Sequence, residues 1–271
     1  MLYKEFKPCA SLAGIIKCFW VFEHFYPFQQ EERMIPDGYI DFVYHYGTKP
    51  SLIINDKSIH KPSVFLGGHL ISSAKLSFCG PLKMFGIKFY PWASSVLYSM
   101  PAYELSNQRI AIEDIAGKWI KDYYSILNTE LNQNKHQKII PMLEKSIVKW
   151  IGDGDVNGLL KYSIQSVIRS KGEITIDELS NELKYSRRQI QRVFQNQKGM
   201  SFQYYCRLVR VQNILKLYNL SSAKKFTSLA HQCGYYDQSH LIRDFTSLLG
   251  LPLKKYFKEE HLYLNNNHHH L

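Results

Sequence analysis

Several kinds of protein are excluded by what this chain of 271 residues does not contain. No apolar run approaches the ~20 residues of a membrane-spanning helix, so no membrane partner is expected. The five cysteines, Cys9, Cys18, Cys79, Cys206 and Cys233, are odd in number and form no C-x-x-C pair. A disulfide framework and a clustered zinc site are therefore not expected, and a reducing cytoplasmic location is. No G-x-S-x-G, P-loop or dinucleotide-binding glycine pattern occurs. Within the first 150 residues no H-x-H or H-x-x-x-H spacing marks a metal-binding barrel. The opening stretch MLYKEFKPCASLAGIIKCFWVF has early lysines but no small-residue cleavage site. It is expected to start a folded domain rather than to act as a secretion signal. No catalytic residue, cofactor or metal is assigned.

What is present points elsewhere. Hydrophobic residues make up 45% and aromatics 14%, enough for a packed core. The length suits two domains better than one. Residues 1–155 hold 17 Lys+Arg against 15 Asp+Glu, whereas residues 156–271 hold 17 against 8. Nearly all of the positive excess lies in the second part. A localised positive field draws polyanions, of which nucleic acid is the commonest.

The pattern along the chain changes with the charge. KCFWVFEHF, IDFVYHYG, SLIIND, SVFLGG, AKLSF and KMFGIKFY read as strands separated by Gly and Pro. In the second of these, Ile40, Phe42, Tyr44 and Tyr46 alternate with Tyr39, Asp41, Val43 and His45. After Pro91 the period becomes helical, in SSVLYSM, IAIEDIAGKWIKDYYSILN and QKIIPMLEKSIVKWI. GDGDVNG, residues 152–158, is the expected domain boundary. The expected fold is thus an α+β N-terminal domain over 1–152, a small sheet or partial barrel followed by helices. An all-α domain over 156–262 and a tail over 263–271 follow. The tail ends LNNNHHHL, like part of an affinity tag, and receives no metal role.

Two helical pairs carry the function. In TIDELSNELKYSRRQIQRVFQNQKG, Thr175 with Glu178 and Ser186 with Gln189 both fit capping boxes. Two caps so close require two short helices and a tight turn, the helix-turn-helix layout. On the second helix Ile190, Val193 and Phe194 face inward, while Arg188, Gln191, Arg192 and Gln195 share another side. Arg forks suit guanine O6/N7 and Gln suits adenine N6/N7. In FTSLAHQCGYYDQSHLIRDFTSLLG, Gly234 is the expected helix stop and Asp237 the next N-cap. Leu241 and Phe245 then point inward, leaving Gln238, Ser239, His240 and Arg243 near the open end. Cys233 is read as core, not as a metal ligand. SFQYYCRLVRVQNILKLYN between the pairs has no Gly or Pro and reads as one helix. About 18 residues would span roughly 27 Å, against the ~34 Å repeat of the major groove on one side of B-DNA.

These residues resemble a known family. Ser186, Arg192, Phe194, Gly199, Tyr205 and Arg210 match its first half. Gly234, Tyr235, Asp237, Ser239, Leu241, Arg243, Phe245, Gly250 and Pro252 match its second half better still. From about 160 to 258 the chain resembles the DNA-binding domain of the AraC/XylS family of bacterial transcription regulators. Phe202, Ile214, Phe226 and Leu241 depart from the usual residues by apolar exchange. The resemblance implies two helix-turn-helix units on a connecting helix, and transcription control. It implies Arg188, Gln191 and Arg192 as base readers in the first unit, and Gln238, Ser239, His240 and Arg243 in the second. Arg187, Lys184, Lys198, Lys224 and Lys225 are expected to neutralise phosphates. The implied partners are double-stranded DNA, a small effector, a second copy of the chain and RNA polymerase.

The N-terminal part, from ERMIPDGYIDFVYHYG to MFGIKFYPWASSVLY, resembles an uncharacterised domain found on some members of that family. It is expected to sense an effector, to dimerise, or both, with the apolar face of QKIIPMLEKSIVKWI as the dimer surface. Asp37, Asp41, His45, His60 and His69 are read as turn and loop residues. Trp20, Phe22, Tyr44, Phe89 and Trp92 fit either a ligand cavity or a core. A rival reading is a bifunctional DNA-binding protein whose front end is an enzyme or an alkyl acceptor, with Cys79 as the residue to examine.

Overall fold

A computed structural model describes residues 1–54, 57–59, 62–98, 100–111, 127, 130–131, 136–152, 154–220 and 226–258. His60, Lys224, Lys225, most of the stretch 112–135 and the tail lie outside the described residues.

The N-terminal part is one antiparallel sheet of eight strands. They are β1 (Leu2–Phe6), β2 (Ile16–Met34), β3 (Ile40–His45), β4 (Ser51–Ile54), β5 (Lys57–Ile59), β6 (Val64–Gly67), β7 (Ala74–Phe89) and β8 (Arg109–Ala111). Their order is β1-β2-β7-β3-β6-β8, with β4 also on β7 and β5 on β4. The two segments AKLSF and KMFGIKFY belong to a single strand, β7, which pairs with β2 on both sides of an irregularity between Tyr26 and Gln30 and also pairs with β3. Gly80 sits inside it at φ 85°, a backbone that a side chain would strain.

Both faces of the sheet are covered. Ile40, Phe42 and Tyr44 point to one core with Phe19, Val21, Phe85 and Ile87. Val43 points to the other, with Trp20, Phe65 and Met84. The alternation expected for β3 is therefore present, with two apolar neighbours instead of one. Gly86 permits this packing, since a Cβ there would lie 2.1 Å from the Trp20 indole.

Two helical expectations fail in this half. Ile110 and Ala111, the start of the stretch IAIEDIAGKWIKDYYSILN expected to be helical, lie in the edge strand β8 (Arg109–Ala111) on β6. Its Arg-Ile-Ala triplet is too short for period to decide between strand and helix, and pairing decides it. The apolar face of helix α2 (His136–Ile151), which follows the single-turn α1 (Ser94–Leu97), is not free for a dimer. Ile139, Ile140, Leu143 and Ile147 are buried in the chain's own sheet core.

The C-terminal part is helical. It comprises α3 (Gly158–Arg169), α4 (Ile176–Leu183), α5 (Arg187–Val193), α6 (Phe202–Leu220), α7 (Phe226–Gln232), α8 (Gln238–Leu249) and α9 (Leu253–Tyr256). Asn157, the last polar residue of GDGDVNG before α3, caps it by accepting from the Leu160 amide at 2.9 Å. The connecting helix α6 is the expected single helix of 19 residues. It buries Phe202, Tyr205, Leu208, Val209, Val211, Ile214 and Leu215, so apolar groups occupy more of its circumference than one stripe. That pattern belongs to a helix enclosed by its neighbours. Ile35 and Trp92 from the N-terminal part join the same core.

Candidate nucleic-acid interface

Each unit of the helical part is built by local hydrogen bonding before any packing. Thr175 Oγ1 accepts from the Glu178 amide at 3.2 Å, and the Glu178 carboxylate accepts from the Thr175 amide at 2.7 Å. The Glu178 carboxyl is held below its ordinary pKa by the bond from the Thr175 amide. Helix α4 ends on Lys184 at φ 57°, and Ser180 Oγ donates to the Tyr185 carbonyl at 2.6 Å across the turn. Ser186 then repeats the box with Gln189, at 3.3 and 2.9 Å. Alone, a helix of seven residues would be marginal. Ile190 and Phe194 are fully buried, worth about 1.5–3 kcal/mol each, and anchor it.

This leaves one side of α5 in solvent. Arg188, Gln191, Arg192 and Gln195 are all exposed, as the sequence spacing requires. Gln189 is occupied by the cap and is not available to a base. Arg187 is exposed but pairs with Asp177 on α4. It stands at the rim of this surface, where a phosphate would compete with that carboxylate.

The second unit follows the same plan with different residues. Gly234 takes φ 69° after α7, and a Cβ there would lie 2.6 Å from the Glu173 side chain. Asp237 accepts from the His240 amide at 2.7 Å and caps α8. Leu241, Phe245, Leu248 and Leu249 are buried. Ser239 and Arg243 are exposed, and Gln238 is half-buried. His240 is turned toward its own scaffold, edge-on to Tyr235 at 5.1 Å and 3.9 Å from Asp244.

Asp244 is a residue that the sequence pattern passed over. It is buried on α8 and takes Arg207 Nε at 2.8 Å and Arg210 Nη2 at 3.8 Å, both from α6. The carboxylate thus fastens the second exposed helix to the connecting helix. Arg210, one of the motif residues, finds its place through this ion pair.

Lys198 corrects an expectation. Instead of facing phosphate it is fully buried, at the end of a π-helical turn, Phe194–Lys198, that continues α5. Its ammonium donates to the Gly38 carbonyl at 2.6 Å and meets His69 Nδ1 at 2.8 Å. His69 is likewise no loop residue of the surface but a buried partner. Burial lowers the pKa of both groups, and for His69 the Lys198 charge adds to it. Around them Gln212 donates to the Pro36 carbonyl and Tyr204 to the Ile71 carbonyl. Ser106 donates to the Gly199 carbonyl at 3.3 Å. The second unit is held by the same sheet part, where Ser73 Oγ and Arg33 donate to the Leu249 carbonyl at 2.6 and 3.3 Å. The N-terminal part therefore touches both units and covers neither exposed face.

The other residues named from sequence fall into place in the sheet. Trp20, Phe22, Tyr44 and Phe89 are buried core, and Trp92 stacks on Tyr90 at 4.6 Å. His45 is buried and stacks on Phe65. Asp37 accepts from the Tyr39 amide at 3.0 Å in its turn and also binds Lys88 at 2.8 Å. Cys18, Lys88 and Asp41 are cross-strand partners on β2, β7 and β3. Arg109 reaches over Gly67, the residue it pairs with on β6. Burial opposes the Lys88 charge, but Asp37 and Asp41 hold its pKa above the ordinary value. Burial raises the Asp41 pKa against the pull of Lys88. Cys18 and Cys206 are pushed up to about 12 by burial and Cys233 to about 11, which keeps them as thiols. Cys79 is exposed, with its Sγ 3.6 Å from the Tyr26 carbonyl. Among the described residues no cluster of His, Cys, Asp or Glu could hold a metal ion, and no helix is long and apolar enough to cross a membrane.

Comparison with known proteins agrees with this geometry. Residues 179–259 match the helix-turn-helix domain family, and residues 4–111 match a domain of unknown function. No curated protein matches the chain. Among solved structures, ToxT from Vibrio cholerae is similar at 13% identity and a TM-score of 0.49, over 89% of this chain and 97% of that one. The C-terminal domain of AraT, a response regulator from Geobacillus stearothermophilus, is similar at 17% identity and a TM-score of 0.36. It covers 39% of this chain and 88% of its own. A probable AraC family transcriptional regulator from Rhodopseudomonas palustris shows 21% identity and a TM-score of 0.35, over 39% and 100%. Two exposed, N-capped polar helices, α5 and α8, each packed behind a short helix and joined through α6, have the layout of a double helix-turn-helix, a DNA-binding motif. Residues 179–259 of the chain's C-terminal part are a helix-turn-helix domain.

Proposed function

We propose that the chain reads specific double-stranded DNA with two helices at once, α5 and α8, and that its N-terminal domain answers to a small effector. The observation that carries the first part is the exposed row of Arg188, Gln191 and Arg192 on a helix fixed at both ends. Ser239, Arg243 and Gln238 are the corresponding readers on α8, with His240 in a supporting position. Arg187 serves phosphates at the rim. The N-terminal domain is residues 1–152 and the DNA-binding domain 156–262. The effector reading is supported by the charged row Lys88, Asp41 and Arg109 on one face of the sheet, an unusual set for a surface whose only task is packing.

The test is a shift assay with the full chain at physiological salt, against a random duplex and a duplex selected from it. Specific binding predicts a selected site bound at least ~10³ times tighter. Equal affinity for both would sink sequence-specific reading. Arg188→Ala is expected to cost about 1–3 kcal/mol at the selected site and to relax one base position.

A further inference from the structure

Two tyrosines stand at corresponding corners of the two units. Tyr185 immediately precedes the N-cap Ser186 of α5, and Tyr236 immediately precedes the N-cap Asp237 of α8. Tyr185 is 44% exposed, and Tyr236, at 87%, is the most exposed of the large apolar and aromatic residues described. Among the described residues neither phenol hydroxyl has a hydrogen-bond partner and neither ring stacks on another. Their neighbours behave differently, since Tyr235 is buried under Arg210 and Tyr205 lies in the core.

Both tyrosines directly precede an N-cap, although the second turn is one residue longer. A left-handed residue, Lys184 or Gly234, closes the preceding helix in each unit. The cap residue is then turned inward, Ser186 to the Gln189 amide and Asp237 to the His240 amide. Neither cap can therefore serve an outside ligand without releasing its helix. The next residue out is the tyrosine. In a reading helix that enters the groove by its N-terminal end, this corner lies at the groove edge, where the phosphates pass. A phenol hydroxyl is a donor there without a charge, and the ring gives it rigid reach.

We propose that Tyr185 and Tyr236 are paired backbone contacts, each donating a hydrogen bond to a DNA phosphate oxygen beside its reading helix. This rests on the DNA-reading function above and adds two positions that set how each helix is seated rather than which base it reads.

The experiment uses the full chain with Tyr185→Phe, Tyr236→Phe and the double variant. The probes are a random duplex of roughly 30 base pairs, long enough for two successive grooves, and a duplex selected from it by the unaltered chain. Each substitution is expected to weaken both duplexes by one and the same factor, about threefold to tenfold. The double variant should lose about the product. The slope of log affinity against log salt should not change, because no cation has been removed. The thermal midpoint should also hold, since the hydroxyls bond none of the described residues. Unchanged affinity in the double variant overturns the proposal. So does a loss confined to the selected duplex, which would make the tyrosines base readers. If Tyr→Phe is silent and Tyr→Ala is not, the contact is apolar and the hydroxyl role falls. Failure of the unaltered chain to bind any duplex would instead sink the DNA-reading function itself, and this proposal with it.

Discussion

Side chains that look alike in the sequence do three different things here. Arg188 is exposed, Arg187 is shared with Asp177, and Arg210 is drawn onto the buried Asp244. Asp244 should therefore matter for stability more than its place among polar residues suggests. Asp244→Ala leaves Arg207 and Arg210 without their carboxylate and is expected to lower stability by about 1–3 kcal/mol in urea unfolding. It should weaken DNA binding only as far as α8 shifts. If Asp244→Ala melts like the unaltered chain, the ion pair is not what fastens α8 to α6. Lys198 was legible in one respect. It lies four residues after Phe194 and eight after Ile190, on the face that is buried, and helical spacing alone places it inward. Its default reading as a surface lysine overrode that spacing.

At the scale of elements, the short-range features were the ones the sequence displayed. Both capping boxes, the Asp237 cap and the Gly234 stop depend on residues within four positions of one another, and all are present. Ser186→Ala should accordingly cost about 1 kcal/mol, and it should impair DNA binding because it frays the end proposed to meet DNA. Circular dichroism and the shift assay together check this, and an unchanged affinity would detach the cap from function. What the sequence did not display are pairings between distant segments. The Lys198–His69 contact joins residues 129 positions apart, and no local pattern announces it. The state of β8 is likewise decided by its pairing with β6 and not by its own three residues.

The seam also has a direction in pH. His69 and Lys198 both have folded pKa values below their ordinary 6.5 and 10.5, so the unfolded chain binds more protons at these sites. Stability from the seam should rise with pH through that range and be lost as pH falls. Asp41, raised above 3.8, acts oppositely, favouring the folded chain as pH falls. Urea unfolding at about pH 6 and about pH 8 should show higher stability at the upper value, and Lys198→Met should flatten the difference. An equal difference in the variant would remove Lys198 from the account.

At the scale of the whole molecule, the two parts share a core through Ile35 and Trp92 and are joined by hydrogen bonds at both units. They should unfold together. All four tryptophans, at 20, 92, 119 and 150, lie in the first part, whereas most of the described helix lies in the second. Tryptophan fluorescence and far-ultraviolet ellipticity should therefore give coincident urea transitions. Two separated transitions would show that the seam does not couple the parts.

The grip of one sheet on both units has a consequence for how DNA is engaged. Lys198 and Ser106 hold the first unit, and Ser73 and Arg33 hold the second, each through hydrogen bonds between that unit and the same N-terminal part. On the proposed reading of DNA, seating α5 in a groove spares α8 a search for its own by diffusion. It is presented there at a high effective concentration, fixed by the protein rather than by a flexible tether. The orientational entropy of bringing two heads to one duplex has been removed during folding, so the second contact adds to affinity nearly in full.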